Sequence, residues 1–126
     1  MTENEFNAFC ACLPKTAYVM QWGGSHVWKV GDKVFAIGRP DADILGITFK
    51  VTPLSYDILK NEPGFRPAPY LASRGMKWIQ RHASSDISDA HLKAYIERSY
   101  DLVVEKLTRR SRAALGLQAK APGERS

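Results

Sequence analysis

Apolar and polar positions follow two rhythms along this chain, helical near both ends and extended between them. Phe6, Phe9, Cys10 and Leu13 recur every three or four residues and stop at Pro14, which predicts a first helix from about Glu3 to Leu13. Thr2 stands where a capping hydroxyl belongs, and Glu5 follows at capping-box spacing. The period then changes. Tyr18 to Trp22 is rich in strand formers and ends at Gly23-Gly24. His26 to Val30 alternates, with His26, Trp28 and Val30 on one face. Lys33 to Ile37 returns across a Gly31-Asp32 turn, and Ile44 to Val51 puts Leu45, Ile47, Phe49 and Val51 on a common side. Strands joined this closely form an antiparallel meander.

Thr52-Pro53 opens a short helix, with a hydroxyl cap and then a proline whose missing N–H costs nothing there. Leu54, Ile58 and Leu59 supply its stripe, and Pro63-Gly64 ends it. Arg66 to Ala72 holds two prolines and reads as an extended loop, Gly75 as a turn, and Met76 to His82 as a final strand. Alternation places Met76, Trp78 and Gln80 on one face of that strand and Lys77, Ile79 and Arg81 on the other. Asp86 or Ser88 caps a long last helix with an inward stripe of Leu92, Tyr95, Ile96, Ser99, Leu102, Val103, Lys106 and Leu107. Lys106, Arg109, Arg110 and Arg112 crowd its C-terminal end, where the helix dipole favours cations. The expected architecture is α+β. One antiparallel sheet has the N- and C-terminal helices packed on a single face, because both stripes need the same kind of surface to bury. Residues 1–117 read as one domain, and the small, polar residues 118–126 as a disordered tail.

Composition narrows the class. The chain has 126 residues, 44% hydrophobic and 25% charged, as in soluble globular proteins. No apolar run approaches the roughly 20 residues that span a bilayer, and the acidic start Met1-Thr-Glu-Asn-Glu is unlike a signal peptide. Cys10 and Cys12 sit two apart on a helix and make a poor disulfide or metal clamp. A cytoplasmic protein, monomeric and without membrane partner, is the expectation.

The net charge of +5 is uneven. Residues 1–65 carry 6 Lys and Arg against 7 Asp and Glu, and residues 66–126 carry 12 against 6. No acidic residue occurs between Glu62 and Asp86, a stretch holding Arg66, Tyr70, Arg74, Lys77, Trp78 and Arg81. Cations neutralise phosphates and flat rings stack on bases, so these six are the candidate nucleic-acid contacts. The plainer reading makes Trp78 a core residue of a strand and the cations its solvated edge.

Other chemistry is not written here. There is no glycine-rich phosphate loop and no Gly-x-Ser-x-Gly elbow. His26, His82 and His91 fall in different elements with no carboxylate or cysteine at ligand spacing, and Asp41 and Asp43 read as a solvated loop. The expectation is no enzyme activity, no cofactor and no metal.

Three segments resemble the MmcQ/YjbR family. They are the helix ending in Leu13-Pro14; the step Phe49-Lys-Val-Thr-Pro53; and Pro69-Tyr70 with Gly75-Met-Lys-Trp78, followed downstream by Ile96-Glu-Arg-Ser-Tyr-Asp-Leu-Val-Val104 and Lys106-Leu107. The resemblance spans about residues 3 to 110. It implies a CyaY-like, frataxin-like α+β fold and a protein described, by inference within the family, as DNA-binding. Frataxins bind iron on an acidic ridge, and Glu3 and Glu5 are not a ridge, so iron is not carried over. The leading expectation is a non-enzymatic protein for DNA or another polyanion. The alternatives are a protein-interaction or adaptor module, and a small-ligand binder using the cleft between the central helix and the Pro67–Gly75 loop.

Overall fold

The computed structural model of the protein describes residues 1–41, 43–69, 71 and 75–117. Its first turn forms as the capping box requires. The Thr2 hydroxyl accepts from the Glu5 N–H at 3.1 Å, and the Glu5 carboxylate accepts from the Thr2 N–H at 2.8 Å. These bonds hold the Glu5 carboxyl below its usual pKa. The helix α1 runs Glu3–Cys12 and leads into four strands, β1 Thr16–Gln21, β2 Ser25–Val30, β3 Lys33–Pro40 and β4 Leu45–Lys50. Helix α2, Pro53–Leu59, follows, then β5 Phe65–Pro67 and β6 Trp78–Arg81, and finally the helices α3 Asp89–Lys106 and α4 Arg109–Leu115. The strands pair antiparallel in the order β1-β2-β3-β4-β6-β5.

Register decides which residues share a face. One row runs His26, Gly38, Ile47, Arg81, and the next runs Trp28, Ala36, Phe49, Ile79. Both lie under the terminal helices. Phe6 of α1 presses on Gly38 so closely that a Cβ there would sit 2.6 Å from the ring. Tyr95 of α3 stacks on Phe49 with centroids 5.8 Å apart. The two helices therefore cover the same face, as their matching stripes require.

A bulge adds to this core. Trp28 faces Ala36 and Lys29 faces Val34, which leaves Phe35 as an extra residue on β3. Phe35 and Ala36 are both fully buried, and Phe35 meets Tyr100 edge to face at 5.4 Å. The β2–β3 hairpin itself turns on Gly31 and Asp32, both at positive φ, the geometry of a two-residue primed turn.

Two expectations are corrected here. The opening of the Arg66–Ala72 stretch is not all loop: Phe65–Pro67 forms edge strand β5, paired with β6. The last helix is also not continuous. Leu107 leaves α3 in an extended conformation and Thr108 caps α4, its hydroxyl accepting from the Ser111 N–H. The break lets Leu107 bury over the hairpin, within 2.8 Å of where a Gly31 Cβ would stand. Arg109 and Arg110 thus occupy the first turn of a new helix rather than the last turn of the old one. Arg112 reaches back instead, donating to the Leu107 carbonyl at 2.8 Å and so serving the end of α3.

Candidate functional site

The basic stretch is divided by the sheet. Ile79 and Arg81 point to the helix-covered face, because they pair with Phe49 and Ile47. Arg81 is only 6% exposed, and its guanidinium donates to the Leu45 carbonyl at 3.0 Å. Burial lowers its pKa against the opposing pull of Asp89. The reading of Arg81 as a phosphate contact is therefore corrected: it braces the sheet from within. Trp78 is also 6% exposed, on the other face, opposite Lys50. Its ring is packed and presents no stacking surface, as the plainer reading held.

Arg66 and Lys77 remain at the surface. Arg66 lies on β5 opposite Gln80, and its Nε donates to the Gln80 side chain at 2.9 Å. Lys77 immediately precedes β6, with its ammonium 4.6 Å from the Tyr56 ring centroid. The Ala68 N–H to Trp78 carbonyl bond, 3.0 Å, joins the two segments just beyond these residues. The candidates Tyr70 and Arg74, and the tail 118–126, lie outside the described residues.

A second feature was not anticipated. Between α2 and the N-terminal half of α3 lies a cleft of about 300 Å³, whose lining includes Lys50, Thr52, Ser55, His91, Tyr95 and Arg98. This cleft is distinct from the one expected between the central helix and the Pro67–Gly75 loop. No spacing rule joins residues 50–55 to residues 91–98. They meet where α3 packs on the sheet, and Ser99 fixes that helix to β3 and to the end of β4. Its hydroxyl donates to the Phe35 carbonyl at 2.7 Å and accepts from the Lys50 N–H at 2.8 Å. Burial and the nearby Lys106 lower the pKa of Lys50, with Glu105 opposing. Arg98 has Glu105 at 4.0 Å. Tyr95 lies between Phe49 and His91, stacked on both, with the His91 centroid 5.9 Å away.

The histidine reading needs one correction. His26, without a carboxylate nearby in sequence, has Glu3 at 2.7 Å from its Nε2 and the Tyr18 hydroxyl at 2.8 Å from its Nδ1. Among the described residues no group of three or more His, Cys, Asp or Glu is placed to hold a metal ion. Cys10 is buried, which pushes its thiol pKa up, and Cys12 is exposed. No described helix is long and apolar enough to cross a membrane.

Among solved structures the fold resembles that of a Deinococcus radiodurans protein with a DUF419 domain. The TM-score is 0.80 at 22% identity, over 99% of this chain and 95% of that one. A Pseudomonas syringae protein matches with a TM-score of 0.63 at 21% identity, over 81% of this chain and 98% of that one. At these identities the likeness is one of fold. No curated protein matches the sequence. The family model described as YjbR matches residues 11–102. That match takes in the last two residues of α1, the whole sheet and the Ser99-Tyr100-Asp101-Leu102 core of α3, so the chain belongs to the YjbR family.

Proposed function

We propose that this protein binds nucleic acid without acting as an enzyme, using the sheet edge formed by β5 and the start of β6. One observation carries the reading: Arg66 and Lys77 are both exposed beside adjacent strands, in a stretch without an acidic residue between Glu62 and Asp86. Two such cations release counterions from a phosphate backbone, and Arg74, from the same stretch, adds a third. Trp78 and Arg81 support the strand and are not contacts in this reading; Tyr70 is the remaining aromatic candidate. The test is a polarisation titration with duplex and single-stranded DNA at two salt concentrations. Three phosphate contacts give a slope of log affinity against log salt of about −2 to −3 on duplex DNA. Absence of salt-sensitive binding at low ionic strength would overturn the reading.

A second reading, a protein-interaction module, is favoured by the edge strand β1. Tyr18, Met20 and, just beyond its end, Trp22 are exposed by 44%, 58% and 59%. An open strand edge with apolar side chains is a template for adding a partner's strand. In that case Met20→Lys abolishes association measured by sedimentation and leaves any DNA binding unchanged.

A further inference from the structure

We propose that the cleft between α2 and α3 binds a nucleoside monophosphate, independently of the nucleic-acid reading. Cations outnumber carboxylates around it, Glu105 being the acidic neighbour of both Arg98, at 4.0 Å, and Lys50. Lys50 and Arg98 bring two cations, Thr52 and Ser55 bring hydroxyls, and no carboxylate belongs to its lining. Lys50 is half-buried, and burial together with Lys106 outweighs Glu105 in disfavouring its charge, a cost that an arriving anion reduces. The donors outnumber what a carboxylate's two oxygens can use. A phosphate monoester, with nearly two charges and three terminal oxygens, matches two cations flanked by hydroxyls.

The aromatic wall gives the other half of the ligand. Phe49, Tyr95 and His91 stack in series from the core outward, with interplanar angles of 24° and 18°. His91 is exposed and terminates the stack beside the cleft. A planar base extends such a stack without needing its own polar partners. A space of about 300 Å³ lies at the lower end of ligand sites and suits a single nucleotide rather than a dinucleotide.

The cleft adjoins the proposed DNA surface, since the Val51 N–H donates to the Lys77 carbonyl at 3.0 Å. The experiment therefore separates the two. Calorimetric titration uses adenosine 5′-monophosphate, adenosine and inorganic phosphate, with the wild type and the variants Lys50→Met, Arg98→Gln and Lys77→Ala. The expected result is saturable one-to-one binding of the monophosphate, with adenosine and phosphate each at least tenfold weaker. Lys50→Met and Arg98→Gln each weaken the monophosphate tenfold or more, while Lys77→Ala leaves it unchanged. Circular dichroism and thermal melting confirm that each variant is folded. Lys50→Met keeps the backbone N–H that holds Ser99, so its melting temperature is expected to match or exceed the wild type. No saturable binding at millimolar monophosphate, equal binding of phosphate alone, or indifference to both cleft variants would each overturn the proposal. None of these outcomes bears on salt-dependent DNA binding.

Discussion

The hydroxyl of Ser99 stands between Phe35 and Lys50, donating to the carbonyl of one at 2.7 Å and accepting from the N–H of the other at 2.8 Å. It takes the place of a strand-to-strand hydrogen bond just beyond the Ala36–Phe49 pair and pins α3 to the sheet. Ser99→Ala leaves a carbonyl and an N–H facing each other across a gap in a fully buried site. The expected loss is about 1–3 kcal/mol, the cost of unsatisfied buried polar groups. Urea denaturation measures it; an unchanged midpoint would mean that the strands close up and bond directly.

Arg81 and Lys77 separate structure from binding. Arg81→Ala removes a buried guanidinium and its bond to the Leu45 carbonyl, and is expected to destabilise by about 1–3 kcal/mol. Any effect of this variant on DNA binding comes through unfolding. Lys77→Ala touches only an exposed side chain beside Tyr56 and is expected to leave the melting curve near wild type, and, if the proposed DNA binding occurs, to flatten its salt slope by roughly one unit. The opposite pattern, a stable Arg81→Ala protein with weakened DNA binding, would return Arg81 to the surface.

Gly38 is needed for the approach of α1. A methyl group there meets the Phe6 ring at 2.6 Å, and both positions are buried. Gly38→Ala forces the ring or the helix outward, at an expected cost of about 1–3 kcal/mol. A second change, Phe6→Leu, is expected to recover part of that loss, which chemical denaturation of the double variant would show.

Cys10, Tyr100 and Lys50 shape stability in alkali. Burial raises the pKa of the Cys10 thiol, so its contribution is complete below the unfolded value of about 8.5 and declines as pH rises beyond it. Burial raises the pKa of Tyr100, with Asp101 adding to it, and its hydroxyl donates to the Pro14 carbonyl. Its stabilising contribution is complete below the unfolded value of about 10, and is lost as pH rises through the higher folded value. Lys50 is lowered, so its charge disfavours folding at neutral pH. That penalty fades as pH rises from the folded value to the unfolded one of about 10.4. Relative to wild type, Tyr100→Phe is expected to gain stability as pH rises above about 10, and the advantage of Lys50→Met is expected to shrink as pH approaches about 10.4. Denaturation midpoints between pH 8 and 11 check both; parallel profiles for all three proteins would refute the assignment.

What the sequence by itself determined is whatever neighbours within a few residues decide. The Thr2–Glu5 box, the Gly31-Asp32 turn, the Thr52-Pro53 helix start and the alternation of β4 and β6 have local causes, and all appear in the structure. Family membership was legible for a related reason, in short segments occurring in the right order. Tertiary structure decided the rest. Alternation assigns Trp78 and Arg81 to opposite faces but says nothing of what covers either, and here both are buried. A bulge that places Phe35 beside Ala36 breaks the period on which such readings rest. The break between α3 and α4 follows from Leu107 burying over a hairpin 76 positions earlier in the chain, at Gly31. The cleft joins residues 50–55 to residues 91–98 because the apolar stripe of α3 and the hydrogen bonds of Ser99 hold that helix on the sheet. Burial and long-range contact are properties of the packed molecule, and a chain of local preferences does not contain them.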